Sequence, residues 1–288
     1  MANSSSNEKY QKNNRRRKNT KSETSSNINQ DLVYGLHAIQ AALDVAKTRV
    51  LEIWLSDERD DDRIQDIIKA AEKQGIKPHK VAKEDLDDMA PDARHQGGVA
   101  KCKPLSVLDE TDLVALLESL DNKNETPFLL ILDCVQDPHN LGACMRSAEA
   151  AGTHAVIAPK DRASALTSTA LKVSSGAAER LPFIQVTNLA RVLRELQQHG
   201  VWIVGTAGEC ETSLFEADLK GPLAVVLGAE GRGIRRLTRE NCDQVMYIPM
   251  HGEAESLNVS VAAGVCLFEA SRQRLVSQAS NNVECSIA

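Results

Sequence analysis

Aromatic side chains are scarce: four Phe, three Tyr and two Trp make up 3% of 288 residues. That argues against a nucleic-acid surface built from stacked aromatic rings. No apolar run approaches the roughly 20 residues needed to span a bilayer. The N-terminus has no apolar core of the kind a secretory signal needs, so the chain reads as soluble and cytoplasmic. The seven cysteines, Cys102, Cys134, Cys144, Cys210, Cys242, Cys266 and Cys285, are odd in number and contain no CxxC pair. Neither a disulfide framework nor a zinc site follows, and no metal is expected.

What remains is ordinary for a globular protein, with 42% hydrophobic and 26% charged residues. The net charge of −6 hides an asymmetry. Residues 1–30 hold seven basic side chains (Lys9, Lys12, Arg15, Arg16, Arg17, Lys18, Lys21) against Glu8 and Glu23, a net +5 that leaves −11 on the rest. A basic tail on an acidic body suits RNA contact, and it equally suits an unselected extension. Its Ser/Asn/Lys composition forms no core in either case.

Ordered sequence is expected from Asp31. Residues 31–105 read as a small α/β unit. A helix carries Leu36, Ile39, Gln40 and Leu43, and a second carries Ile64, Ile67, Ile68 and Ala71 before Gly75. Val50–Leu55, Lys77–Ala82 and Gly98–Lys103 are candidate strands. Residues 106–126 read as a connector with one weakly amphipathic stretch, Leu113–Leu120, and a domain boundary is expected near Pro127. From Phe128 to about residue 275 strands and helices alternate. Strands are expected at Phe128–Asp133, His154–Ala158, Phe183–Val186, Val201–Gly205, Leu223–Leu227 and Val245–Pro249. Helices are expected at Leu141–Ala151, near Leu166–Ser175, after a capping Asn188, and over Leu257–Leu275. This alternation predicts a mainly parallel sheet covered by helices. Residues 276–288 read as a frayed tail.

Three segments place polar residues or glycine where strands end and helices begin, the usual ligand edge of an open α/β sheet. Asp133-Cys-Val-Gln-Asp-Pro-His-Asn-Leu-Gly-Ala-Cys-Met-Arg146 sets Asn140 at a helix entrance and Arg146 about two turns on; an N-cap with a surface arginine explains the same residues. Leu227-Gly-Ala-Glu-Gly-Arg-Gly233 permits close backbone approach but lacks the third glycine of a dinucleotide fingerprint and the Lys-Ser/Thr of a Walker loop. Ile248-Pro-Met-His-Gly-Glu-Ala-Glu-Ser-Leu-Asn-Val-Ser260 precedes the last helix. Capping accounts for Ser256 and less easily for Asn258.

Together, Asn140-Leu-Gly-Ala-Cys-Met-Arg146, Gly228-Ala-Glu-Gly231, Ile248-Pro-Met250 and Ser256-Leu-Asn-Val-Ser-Val-Ala262 resemble, in order and spacing, the SpoU or TrmH-like branch of the SPOUT methyltransferases. The resemblance runs from Asp31 to about Arg274. Tyr34-Gly-Leu-His-Ala38 and His95-Gln-Gly-Gly98 resemble the substrate-binding domain of that family. The basic tail has no counterpart in it.

The resemblance implies a C-terminal SPOUT domain, a parallel sheet whose final segment forms a trefoil knot, preceded by a small L30e/L7Ae-like domain. It implies a homodimer, S-adenosyl-L-methionine as cofactor, and 2′-O-methylation of a guanosine ribose in structured RNA, 23S rRNA. It places the cofactor against Gly228, Ile248 and Leu257, with Thr206, Gly208 and Met250 adding contacts. It makes Arg146 catalytic, with Asn140 and Glu230 holding Arg146 or the substrate, and Ser256 and Asn258 supporting the knot and the reacting ribose. Arginine is effectively always protonated. A role that needs no proton loss is to fix a phosphate and stabilise negative charge growing on the 2′-oxygen. In the N-terminal unit, Arg94, His95 and Gln96 are candidate RNA contacts or simply a loop at a strand entrance. Competing readings are a tRNA ribose methyltransferase, a non-catalytic ribosome-assembly factor of the same fold, and a nucleotide-dependent oxidoreductase. The incomplete glycine fingerprint counts against the last.

Overall fold

The computed structural model describes residues 31–45, 49–91, 94–229 and 231–285. The basic tail and Glu230 lie outside them.

The N-terminal unit runs β1 (Asp31–Tyr34), α1 (Leu36–Val45), β2 (Val50–Ser56), α2 (Asp62–Lys73), β3 (His79–Val81), α3 (Lys83–Met89) and β4 (Gly98–Cys102). Its sheet has the order β1-β4-β2-β3; β4 is antiparallel to both neighbours and β3 parallel to β2. Alternation along β4 sends Ala100 and Cys102 to α1 and α2, and Val99 to Leu86 of α3. β1 and α3 were not expected. The first is four residues long, and the second has one buried residue, Leu86, too little pattern to read.

Residues 106–126 are not a bare connector. They hold α4 (Glu110–Asn122), whose N-terminus is closed by a reciprocal cap between Asp109 and Asp112. Leu113 and Leu117 join the core of the following sheet. Leu108 exchanges backbone hydrogen bonds with the strand at 183–185. The weak apolar stripe hid a docked helix.

The second unit continues β5 (Phe128–Asp133), α5 (Pro138–Ala150), β6 (Ala155–Pro159), α6 (Ser168–Val173), α7 (Ala177–Arg180), β7 (Phe183–Val186), α8 (Leu189–Gln198), β8 (Trp202–Thr206), β9 (Thr212–Ser213), β10 (Leu223–Gly228), α9 (Arg236–Glu240), β11 (Gln244–Tyr247) and α10 (Val259–Cys285). The seven strands pair in parallel in the order β7-β6-β5-β10-β8-β11-β9. Successive strand residues face opposite sides, as a two-residue period requires. Leu130, Leu132, Val156, Val225 and Leu227 pack with α5, α6 and α10, whereas Leu129, Ile131, Ile157, Ala224 and Val226 pack with α4 and α8. Asn188 caps α8 by accepting from the Arg191 amide, and Leu189, Val192, Leu193 and Leu196 form its buried face. α5 begins at Pro138 because Asp137 caps it with proline at the first position. α10 continues through Cys285, past the tail expected from residue 276.

The two units meet across α6 and α7. Arg49 donates to Glu179 at 2.7 Å, and both side chains are about 5% exposed or less. The Lys172 ammonium lies 5.2 Å from the centroid of the Tyr34 ring.

Candidate active site

The carboxyl ends of three adjacent strands, β10, β8 and β11, open into one cavity of about 610 Å³. Residues 206–208, 228, 229, 231, 233, 248, 250 and 254–257 wall it. All six residues expected to meet the cofactor (Thr206, Gly208, Gly228, Ile248, Met250 and Leu257) line this cavity, as does Ser256. Leu227, Val259 and Ala262 supply apolar floor. The size falls within the range of small-molecule sites, and an apolar slot with exposed backbone polar groups suits a purine.

Gly228 is required by close approach. A Cβ there would stand 2.0 Å from the Gly233 carbonyl carbon and 2.2 Å from the Ile234 nitrogen. The Gly233 amide donates to the Ala229 carbonyl at 2.9 Å, closing the turn between them. The loop then ends on Arg235, which reaches back to β5. Asp133, fully buried, accepts from the Arg235 backbone N–H at 2.8 Å and from Nε at 2.7 Å, with a guanidinium nitrogen at 2.6 Å. Burial works against the Arg235 charge, but hydrogen bonding and the charge of Asp133 outweigh it and hold the guanidinium above its ordinary pKa. Burial and then the Asp133 charge push the Cys134 thiol up, which leaves it a protonated group beside the carboxylate.

Asn140 lies in the first turn of α5 and Asn258 immediately before α10. The Asn258 amide nitrogen donates to the Asn140 side-chain oxygen at 3.0 Å. The Asn258 side-chain oxygen in turn accepts from the Ser260 backbone N–H at 2.9 Å and its hydroxyl at 2.6 Å. Capping therefore falls on Asn258, where Ser256 was the expected cap, because α10 starts two residues later than its apolar pattern. Arg146 is exposed on α5, and its guanidinium reaches the Ser175 hydroxyl at 3.5 Å in the turn between α6 and α7. Gly142, between Asn140 and Arg146, has a packing reason: a Cβ would stand 2.5 Å from the Ala170 carbonyl of α6.

In the N-terminal unit His95 turns inward. It is 6% exposed, its Nδ1 accepts from the Gly97 amide and its Nε2 lies 2.9 Å from Asp87. Arg94 and Gln96 remain exposed. Asp133 and Arg235 were not among the expected site residues. The available signal was a carboxylate ending an otherwise wholly apolar strand, Phe128-Leu-Leu-Ile-Leu-Asp133. Among the described residues, no helix is long and apolar enough to cross a membrane, and no group of three His, Cys, Asp or Glu side chains could hold a metal.

Comparison with known proteins agrees with this arrangement. Residues 127–268 match the SpoU rRNA Methylase family, and residues 32–108 match the family described as RNA 2′-O ribose methyltransferase substrate binding. The chain is 52% identical over 245 residues to the 23S rRNA (guanosine-2′-O-)-methyltransferase RlmB of Shewanella oneidensis, covering 85% of this chain and 98% of that one. It is 53% identical over 244 residues to RlmB of Escherichia coli K12, covering 85% and 99%. Among solved structures, an RNA 2′-O ribose methyltransferase superposes with a TM-score of 0.70 at 27% identity, over 86% of this chain and 90% of that one. The SpoU methyltransferase AviRb from Streptomyces viridochromogenes shares the fold, with a TM-score of 0.68 at 24% identity over 85% of this chain and 91% of that one. Match, fold and converging loops agree, and the chain belongs to the SpoU rRNA methylase family.

Proposed function

We propose that this protein transfers a methyl group from S-adenosyl-L-methionine to the ribose 2′-hydroxyl of a guanosine in 23S rRNA. The observation that carries the reading is the single cavity into which all six expected cofactor residues converge, with Arg146 on α5 of the same unit. Identity above 50% to RlmB proteins over nearly their full length supports the substrate assignment. The cofactor supplies an electrophilic methyl group when bound. Leu227, Ile248 and Leu257 would hold its apolar part, and backbone groups of Gly228, Ala229, Gly231 and Gly233 would meet its polar edge. Arg146 fixes a flanking phosphate and stabilises charge growing on the 2′-oxygen, a role open to a permanently protonated side chain. Asn140 and Asn258 brace the two helix starts beside the reacting ribose, Ser256 contributes from the cavity rim, and Glu230 holds Arg146 or the substrate.

In this reading residues 31–105 bind RNA and residues 127–275 carry the chemistry. The C-terminal segment threads the family's trefoil knot, two copies pair as a homodimer, and the enzyme works in the cytoplasm. Labelled methyl transfer to separate pools of unmodified 23S rRNA and tRNA, followed by nucleoside analysis, tests it. Label in 2′-O-methylguanosine from 23S rRNA is the expected result. Label confined to tRNA overturns the substrate, and cofactor binding without any transfer overturns the activity. Arg146→Ala is expected to abolish transfer while leaving cofactor binding intact.

A further inference from the structure

We infer that Asp133 is the positioning residue for the cofactor cavity, acting through Arg235; the inference rests on the S-adenosylmethionine reading above. Asp133 lies outside the cavity lining, but it sits beside the start of the loop that forms one wall. In the sheet register it pairs with Gly228, the point where the chain leaves β10. From there the Gly233 amide bonds back to the Ala229 carbonyl, and the chain returns so tightly that Gly233 and Ile234 press on the bare Cα of Gly228. Arg235 then delivers one backbone and two guanidinium nitrogens to one carboxylate, at 2.6–2.8 Å.

The loop is thus pinned at both ends, by backbone contact at Gly228 and by charge at Asp133. Gly228 and three residues beyond it (Ala229, Gly231 and Gly233) line the cavity. Three of these four are glycine, and Gly231 and Gly233 have φ of +74° and +62°. A segment so rich in glycine has little stiffness of its own. Its shape is imposed from its ends, and the Asp133 end does so with directional bonds. A carboxylate withdrawn from water is tolerated when donors replace its hydration, and these donors belong to the residue that ends the loop. Asparagine at 133 would lose the charge and turn an amide donor toward donors. Lysine at 235 would keep the backbone N–H and one cation.

The test uses full-length Asp133→Asn, Arg235→Lys and Arg235→Ala. S-adenosylhomocysteine affinity is read by calorimetry, and initial rates are read against S-adenosylmethionine concentration with rRNA saturating. Asp133→Asn is expected to weaken S-adenosylhomocysteine binding about tenfold and to raise the cofactor KM in step, with kcat held within about threefold. Arg235→Ala follows it in direction, and Arg235→Lys recovers most of the affinity. A loss of kcat at unchanged KM, or unchanged affinity in Asp133→Asn, overturns the inference. If Asp133→Asn fails to fold, unchanged affinity in Arg235→Ala overturns it. Wild-type protein that does not bind S-adenosylhomocysteine overturns the cofactor reading itself, whereas binding that is equal in wild type and all variants overturns the clamp alone.

Discussion

Asn258 and Asn140, 118 residues apart, are joined side chain to side chain at 3.0 Å, so the start of α10 is tied to the first turn of α5. Asn258 both caps α10 and donates to Asn140, and substitution can separate these contacts. Asn258→Ala removes both and is expected to lower stability by about 1 kcal/mol, the usual cost of a lost cap. Asn258→Asp keeps an acceptor for Ser260 and is expected to hold stability. Both should slow methyl transfer by about tenfold, equivalent to about 1.4 kcal/mol of transition-state stabilisation. Denaturant unfolding and transfer assays on the pair check this; full activity in Asn258→Asp would reduce the contact to packing.

Gly228→Ala is expected to cost about 1–3 kcal/mol and to close the cavity, since its Cβ meets backbone that cannot swing away. Gly221→Ala, where a Cβ meets nothing within 4 Å, is the control and should stay within about 0.5 kcal/mol of wild type. Thermal unfolding with and without S-adenosylhomocysteine separates the two effects.

Arg49→Met should cost about 3–5 kcal/mol, because it removes the cation 2.7 Å from the buried Glu179 carboxylate. Replacing both, with Met at 49 and Leu at 179, should recover much of that loss. Denaturant midpoints for the single and double variants decide it, and equal losses in both would mean that packing, rather than charge, joins the two units.

His154 sets an acid limit on stability. Its Nδ1 accepts from the Phe128 amide, and burial, only partly opposed by the Glu125 charge, holds its pKa below the ordinary 6.5. The unfolded chain therefore binds the extra proton more readily. The contribution is fully present above about pH 6.5 and is lost as pH falls through the depressed folded value. Transition temperatures measured across that range should decline more steeply for wild type than for His154→Gln.

Features set by neighbouring residues could be read in advance. Asn188 and the Leu189, Val192, Leu193 and Leu196 stripe define α8 within a dozen residues, and the structure keeps each assignment. Asp137-Pro138 carried the signal for an early start to α5, but the apolar pattern alone placed that start three residues late. α4 was concealed because its three buried leucines make a thin stripe, and its value lies in docking on β7. The Asp133–Arg235 pair spans 102 residues and leaves no local periodicity to read. His95 shows the opposite difficulty, since a polar loop residue looks available to a ligand until its partners, Asp87 and Gly97, are known.

The strand order has a kinetic consequence. β5 lies between β6, made soon after it, and β10, which begins 90 residues after the end of β5. At about 5–20 residues per second of synthesis, one edge of that apolar strand waits roughly 5–20 seconds for its partner. During this interval the nascent chain presents an unpaired Phe128-Leu-Leu-Ile-Leu edge, the point at which aggregation or chaperone capture would compete with folding.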